Sequence, residues 1–60
     1  MIGGRGPRVT DVEYWEARAE EARATAEGFT HLDAQKAMLR IAETYDYIAV
    51  TGRKLRERGT

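Results

Sequence analysis

The sequence predicts an all-α fold: a two-helix antiparallel hairpin that self-associates into a four-helix bundle. Three observations carry this. Residues 12–27 contain neither proline nor glycine and are dense in Ala, Glu and Arg, all strong helix formers. Apolar residues recur at steps of three and four in both halves of the chain, as they do along a helical seam. Finally, sixty residues without a cysteine cannot bury a large monomeric core and have no disulfide to compensate, which leaves oligomerisation as the common remedy. The hairpin occupies residues 10–58, with helices over about 11–28 and 31–57. Residues 1–9, with Gly3, Gly4, Gly6 and Pro7 and only Ile2 as a sizeable aliphatic before Val9, read as a disordered arm.

The first helix is expected to start at Thr10, with Glu13 three residues later completing a capping box in which each side chain satisfies a free backbone amide. Asp11 and Glu13 place negative charge at the positive end of the helix dipole. The apolar positions Val12, Trp15, Ala19, Ala22, Ala26 and Phe29 follow steps of 3, 4, 3, 4 and 3. Alanines fill the middle of that face, so another helix can approach closely there, with Trp15 and Phe29 as anchors at its ends. Gly28 is the expected stop, because a left-handed closing residue is cheap for glycine.

Thr30 and Asp33 repeat the capping-box spacing, and a link of about three residues makes the two helices antiparallel neighbours. Along the second helix the expected seam is Ala34, Met38, Ile41, Tyr45, Ile48, Gly52 and Leu55, flanked by Leu39, Ala42 and Ala49. This stripe is wider than one partner helix needs. A second hairpin would cover this surplus together with the expected overshoot of the longer second helix past the first. Gly52 costs about 1 kcal/mol relative to alanine inside a helix, so a kink or end is expected near Thr51.

Charge and hydropathy exclude several classes. Ten basic and ten acidic residues balance to zero, so no net field draws the chain to nucleic acid or an anionic membrane. Residues 11–27 carry six acids against Arg18 and Arg23, net −4, while residues 53–58 carry four bases against Glu57, net +3. No apolar run approaches the roughly 20 residues of a membrane span, and the start has no hydrophobic signal core. The expectation is a chain that is neither inserted nor exported by a standard signal.

Candidate chemistry is sparse. His31, the only imidazole, has Glu27 and Asp33 nearby, but a helical di-iron centre needs Glu-x-x-His on two helices, so His31 reads as a solvated turn residue. Glu20 and Glu21 point in different directions and form no acid/base pair. Serine and cysteine are absent, and the threonines at 10, 25, 30, 44, 51 and 60 lack an activating histidine except near the turn. Gly3-Gly4-Arg5-Gly6 follows no strand and lacks the Gly-Lys-Ser/Thr ending of a phosphate loop. No catalytic, cofactor-binding or metal-binding residue is assigned.

The run Tyr14-Trp15-Glu16-Ala17-Arg18-Ala19-Glu20-Glu21-Ala22-Arg23, followed by Met38-Leu39-Arg40-Ile41-Ala42-Glu43-Thr44-Tyr45, resembles a family of very short alphaproteobacterial, especially rhizobial, helical proteins. Their pattern is approximately Tyr-Trp-x-x-Arg-Ala-Glu-Glu-Ala-Arg, a Thr-Asp-Pro-Glu-like link, then Met-Leu-x-Ile-Ala-x-x-Tyr. The resemblance covers about two-thirds of the chain and departs from the pattern at His31-Leu32. It implies a cytoplasmic bacterial helical protein and nothing catalytic.

The functional expectation is a non-enzymatic, oligomerising protein-interaction module or adaptor, dimeric before tetrameric. Its self-association residues would be Trp15, Ala19, Ala22, Met38, Ile41, Tyr45, Ile48 and Leu55. Tyr14 and Tyr47 lie off the seam and are candidate contacts for an unidentified protein partner, since tyrosine is enriched at interfaces. The alternative is a small nucleic-acid-binding regulator using Arg53, Lys54, Arg56 and Arg58 with Arg5 and Arg8. Binding that weakens steeply with salt would distinguish it.

Overall fold

The computed structural model describes residues 6–59, so residues 1–5 of the disordered arm expected over residues 1–9 lie outside them. It contains two helices, α1 (Val12–Glu27) and α2 (Leu32–Gly59), and no strand among the described residues. They pack against each other as an antiparallel hairpin. The close contacts give the register, Trp15 against Tyr45 and the Val9–Thr10 backbone against Gly52, and long side chains reach along the seam from Arg56 to Glu13, Arg53 to Glu16 and Arg23 to Asp46. Cα atoms span only 13 Å along the thinnest axis, which is a single layer of helices.

Both ends of α1 depart from the expected caps. The N-cap is Asp11, with no side-chain bond into the helix. Its carboxylate turns back to accept from the Arg8 N–H at 2.9 Å, while its own N–H donates to the Arg8 carbonyl at 3.0 Å. The Thr10–Glu13 box is therefore replaced by a turn over residues 8–11. At the other end Gly28 has φ −82° and ψ −10°, a right-handed conformation open to any residue. The last turn closes by tightened bonds, Gly28 N–H to the Thr25 carbonyl and Phe29 N–H to that of Ala26, the 3₁₀ ending by which a helix satisfies its last carbonyls without a left-handed residue. The helix α2 starts one residue later than expected, with the His31 carbonyl accepting the first helical bond from the Gln35 N–H at 3.0 Å.

Packing follows from side-chain size. The buried apolar residues are Val12, Ala19, Ala22 and Ala26 on α1 and Ala42 and Ala49 on α2, joined by Gly52. On α1 this is the expected seam, with Trp15 half-buried within it and Phe29 outside the helix and exposed. On α2 the expected seam holds at Met38, Tyr45 and Gly52, but Ala42 and Ala49 take the places of Ile41 and Ile48, so Ile41 and Leu55 stand exposed and Ile48 half-buried. Small residues win because two helices gain most dispersion contact where their backbones come closest, and a row of isoleucines would hold them apart. The large aliphatics are pushed to the flank.

Gly52 neither kinks nor ends α2, which continues to Gly59. A Cβ at position 52 would lie 2.9 Å from the Val9 carbonyl carbon and 3.3 Å from the Thr10 Cα, with the Val9 carbonyl oxygen closer still. The turn over residues 8–11 thus crosses α2 at its one position without a side chain. Beyond this crossing, residues 53–59 of α2 remain exposed.

Candidate functional site

An aromatic cluster occupies the α1 N-terminal end of the hairpin. Trp15 stacks on Tyr45 with centroids 5.8 Å apart and planes at 27°, and Tyr14 meets Trp15 edge-on at 4.9 Å and 87°. These are the offset and T-shaped arrangements that ring quadrupoles favour. The Trp15 indole N–H donates to the Arg8 carbonyl at 2.8 Å, fastening the crossing turn to α1. The Arg18 guanidinium lies 5.6 Å from the centroid of the Tyr45 ring, and its pKa is raised first by the Tyr45 hydroxyl and then by Glu21. Trp15 thus lies opposite the Tyr45 region of α2, as antiparallel neighbours require.

The hairpin has two unlike faces. One carries the interhelix ion pairs, Arg23 to Asp46 at 2.8 Å, Arg53 to Glu16, and Arg56 to Glu13 at 3.5 Å, with Arg23 also held by Glu20 of its own helix at 3.1 Å. The Arg23 pKa is raised by Asp46 first and Glu20 second. On the other face Arg18 lies over Tyr45, and Ile41 and Ile48 sit one helical turn to either side of Tyr45 along α2. Leu55 continues that stripe one heptad on. Ile41 is 43% exposed and Leu55 46%.

Polar groups on this second face are satisfied from within. Arg18 pairs with Glu21 at 2.7 Å, the Thr25 hydroxyl donates to the Glu21 carbonyl at 2.9 Å, and the Thr44 hydroxyl donates to the Arg40 carbonyl at 3.2 Å. Covering the two threonines would orphan neither hydroxyl, whereas covering the Arg18–Glu21 pair would desolvate two charges that are now 43% and 65% exposed. Ala37, Ile41, Thr44, Ile48, Thr51 and Leu55 follow steps of 4, 3, 4, 3 and 4, a second heptad seam on α2 beside the one occupied by α1. Thr44 and Thr51 are polar by type, and only the 3-4 step marks them as seam members.

The expected self-association residues divide accordingly. Ala19 and Ala22 are covered by α2 of the same chain, with 0% and 3% exposure, so they are unavailable to a second copy while the hairpin is closed. Trp15, Met38, Tyr45 and Ile48 are half-buried, and Ile41 and Leu55 are exposed. Of the expected partner contacts, Tyr14 is 44% and Tyr47 73% exposed. Arg53 and Arg56 are engaged by Glu16 and Glu13, whereas Lys54 and Arg58 are in none of the ion pairs found among the described residues. The charge that a nucleic-acid reading would use is thus partly spent inside the hairpin. His31 is exposed, and no group of three metal-ligating side chains gathers among the described residues. Glu20 and Glu21 each face a different arginine. No helix of the described residues is long and apolar enough to cross a membrane.

Comparison with family models, with curated proteins and with solved structures found no match.

Proposed function

We propose that this chain is a non-enzymatic interaction module that works as a homodimer, two hairpins closing their Ile41–Ile48–Leu55 faces against each other as a four-helix bundle. The observation that carries the reading is the composition of the core. Among the described residues the buried apolar side chains are five alanines and Val12, while the large aliphatics of α2 stand outside. Full burial of a Leu or Ile stabilises by about 1.5–3 kcal/mol relative to exposure, and a domain this small has little stability to forgo. The single-layer hairpin also contains no cavity among the described residues, so a surface role suits it better than turnover of an enclosed substrate.

In such a bundle Tyr47, on the side of α2 away from α1, stays accessible and is the anchor we assign to contact with another protein. A place among the short alphaproteobacterial helical proteins and a cytoplasmic setting belong to the same proposal, resting on the Tyr14–Arg23 and Met38–Tyr45 runs.

The test is solution mass by sedimentation or light scattering over a concentration series, with helicity measured on the same samples. Twice the chain mass of 6.8 kDa, with helicity lost on dilution, supports the proposal. A helical monomer that survives dilution overturns it.

A further inference from the structure

We propose that the back of α2 is a docking strip for an acidic helix of another protein, with Tyr47 at its centre. The proposal rests on the reading of Tyr47 as a protein contact and names the chemistry of what it contacts.

Lys36, Arg40, Tyr47, Lys54 and Arg58 share one helical face, because separations of 4, 7, 7 and 4 residues each return to within about 40° of the same direction. All five are exposed, and they lie on the side of α2 opposite the buried Ala42, Ala49 and Gly52. The stripe is symmetric about Tyr47. One cation stands seven residues to either side and another eleven residues to either side, about 10 and 16 Å along the axis.

These four cations are set apart from the rest. Arg18, Arg23, Arg53 and Arg56 are held by carboxylates of the hairpin, whereas Lys36, Arg40, Lys54 and Arg58 are in none of the ion pairs found among the described residues. They also form two like-charged pairs four residues apart, an arrangement that weakens the helix bearing it. Lys54 and Arg58 regain something from the carbonyl end of α2, but Lys36 and Arg40 stand towards the amide end, where the dipole offers them nothing. The fold gives no stabilising reason for this stripe, and an anionic partner supplies one.

Two features select an acidic protein from among anionic partners. Glu43, exposed one turn before Tyr47, repels a phosphate backbone, and the zero net charge of the chain gives a polyanion no long-range pull. Tyr47 is 73% and Val50 47% exposed, an apolar centre that a side chain can cover and a phosphate cannot. A helix laid alongside α2 rises equally per residue, so acids at the same separations meet all four cations at once.

The test uses the full-length chain and a synthetic helical peptide with glutamates seven and eleven residues to either side of a central leucine, on an alanine and glutamine background. A second peptide of the same composition has its glutamates scattered round the helix. The matched peptide should bind roughly tenfold more tightly than the scattered one, with affinity that falls as salt rises. Lys36→Glu should weaken it by roughly fivefold. A peptide with lysine in place of one terminal glutamate should instead prefer Lys36→Glu to wild type, in either orientation because the stripe is symmetric. Helicity of Lys36→Glu should not fall, since the substitution turns a like-charged pair with Arg40 into an attractive one.

No binding, equal affinity for the matched and scattered peptides, or no exchange of preference overturns the strip. So does tighter binding of a thymidine oligonucleotide or of phosphatidylserine vesicles. Solution mass measured alongside separates the two readings: a dimer that does not discriminate the peptides overturns the strip and leaves the homodimer standing, whereas a monomer that discriminates them does the reverse.

Discussion

Val9 and Gly52 are in backbone contact across the hairpin: the Val9 carbonyl passes so near the Gly52 Cα that no side chain fits between them. This crossing ties the turn over residues 8–11 to the far half of α2. Gly52→Ala should therefore destabilise the hairpin, the roughly 1 kcal/mol gain in helix propensity being outweighed by displacement of backbone that cannot rotate away, for a net loss of about 1–3 kcal/mol. Thermal unfolding followed by far-UV circular dichroism reads this directly. An unchanged midpoint would mean that the turn does not hold this position.

Gly28 should respond with the opposite sign. Its φ is right-handed and a Cβ there would meet only the Thr25 carbonyl oxygen, at 3.5 Å. Gly28→Ala should raise stability by about 0.4–1 kcal/mol, mainly by narrowing the unfolded ensemble. Urea midpoints of the two glycine variants moving in the same direction would contradict the contrast.

Trp15 contributes a ring and a donor, and the two can be separated. Trp15→Phe keeps an aromatic surface against Tyr45 but removes the indole N–H bonded to the Arg8 carbonyl. That carbonyl still accepts from the Asp11 N–H, so it is not orphaned. The loss expected from the hydrogen bond is about 0.5–1.5 kcal/mol. Faster amide exchange at Arg8 and Asp11, with the middle of α1 unaffected, would locate the effect in the turn.

Much of the fold was legible in the residues. The all-helical class, the antiparallel hairpin and the α1 seam of Val12, Trp15, Ala19, Ala22 and Ala26 follow from spacing alone. The α2 seam followed only at Met38, Tyr45 and Gly52, because reading by size favours Ile41 and Ile48 over Ala42 and Ala49, whereas close helix approach favours the reverse. Alanines in the middle of the α1 face were the available hint, since a small row on one helix invites a small row on the other. Gly52 read as a weakness because its reason, the Val9 crossing, joins residues 43 positions apart. Asp11 displaced Thr10 as the cap through a turn to Arg8 that has no periodic signature. At the candidate site, Trp15 opposite Tyr45 was readable from antiparallel geometry, while the second seam through Thr44 and Thr51 emerged only once the first had been located.

Glu13 gives the hairpin an acid dependence of defined sign. Its pKa is lowered from an ordinary 4.5, first by its own backbone N–H and next by the charge of Arg56. A carboxyl more acidic in the folded than in the unfolded chain contributes stability that is fully present above the unfolded value and is lost as pH falls through the folded one. The difference in urea midpoint between wild type and Glu13→Gln should hold steady above about pH 5 and shrink below 4.5. Measurements at fixed protein concentration keep assembly from moving the midpoints. A difference that grew on acidification would reverse the assignment.

Neighbouring residues on α2 should report separately on the two seams. Ala42 is 2% exposed, between the helices, whereas Ile41 beside it is 43% exposed on the open face. Ala42→Leu forces three additional carbons into a contact set by alanines and should destabilise by about 1–3 kcal/mol, because the helices must separate along their length. Ile41→Asp leaves that contact intact and adds a carboxylate where the proposed second copy would bury it without a partner. Dimer affinity should then fall by at least roughly a hundredfold, from the desolvation cost of an unpaired charge at each of two symmetric positions. Sedimentation combined with helicity separates the two mechanisms. For Ile41→Asp, mass and helicity falling together at concentrations where wild type is dimeric would show that the alanine seam cannot hold a hairpin by itself. A helical Ile41→Asp monomer would show that the hairpin folds first and that assembly is a separate event. An Ile41→Asp chain with undiminished dimer affinity would remove the open face from the interface.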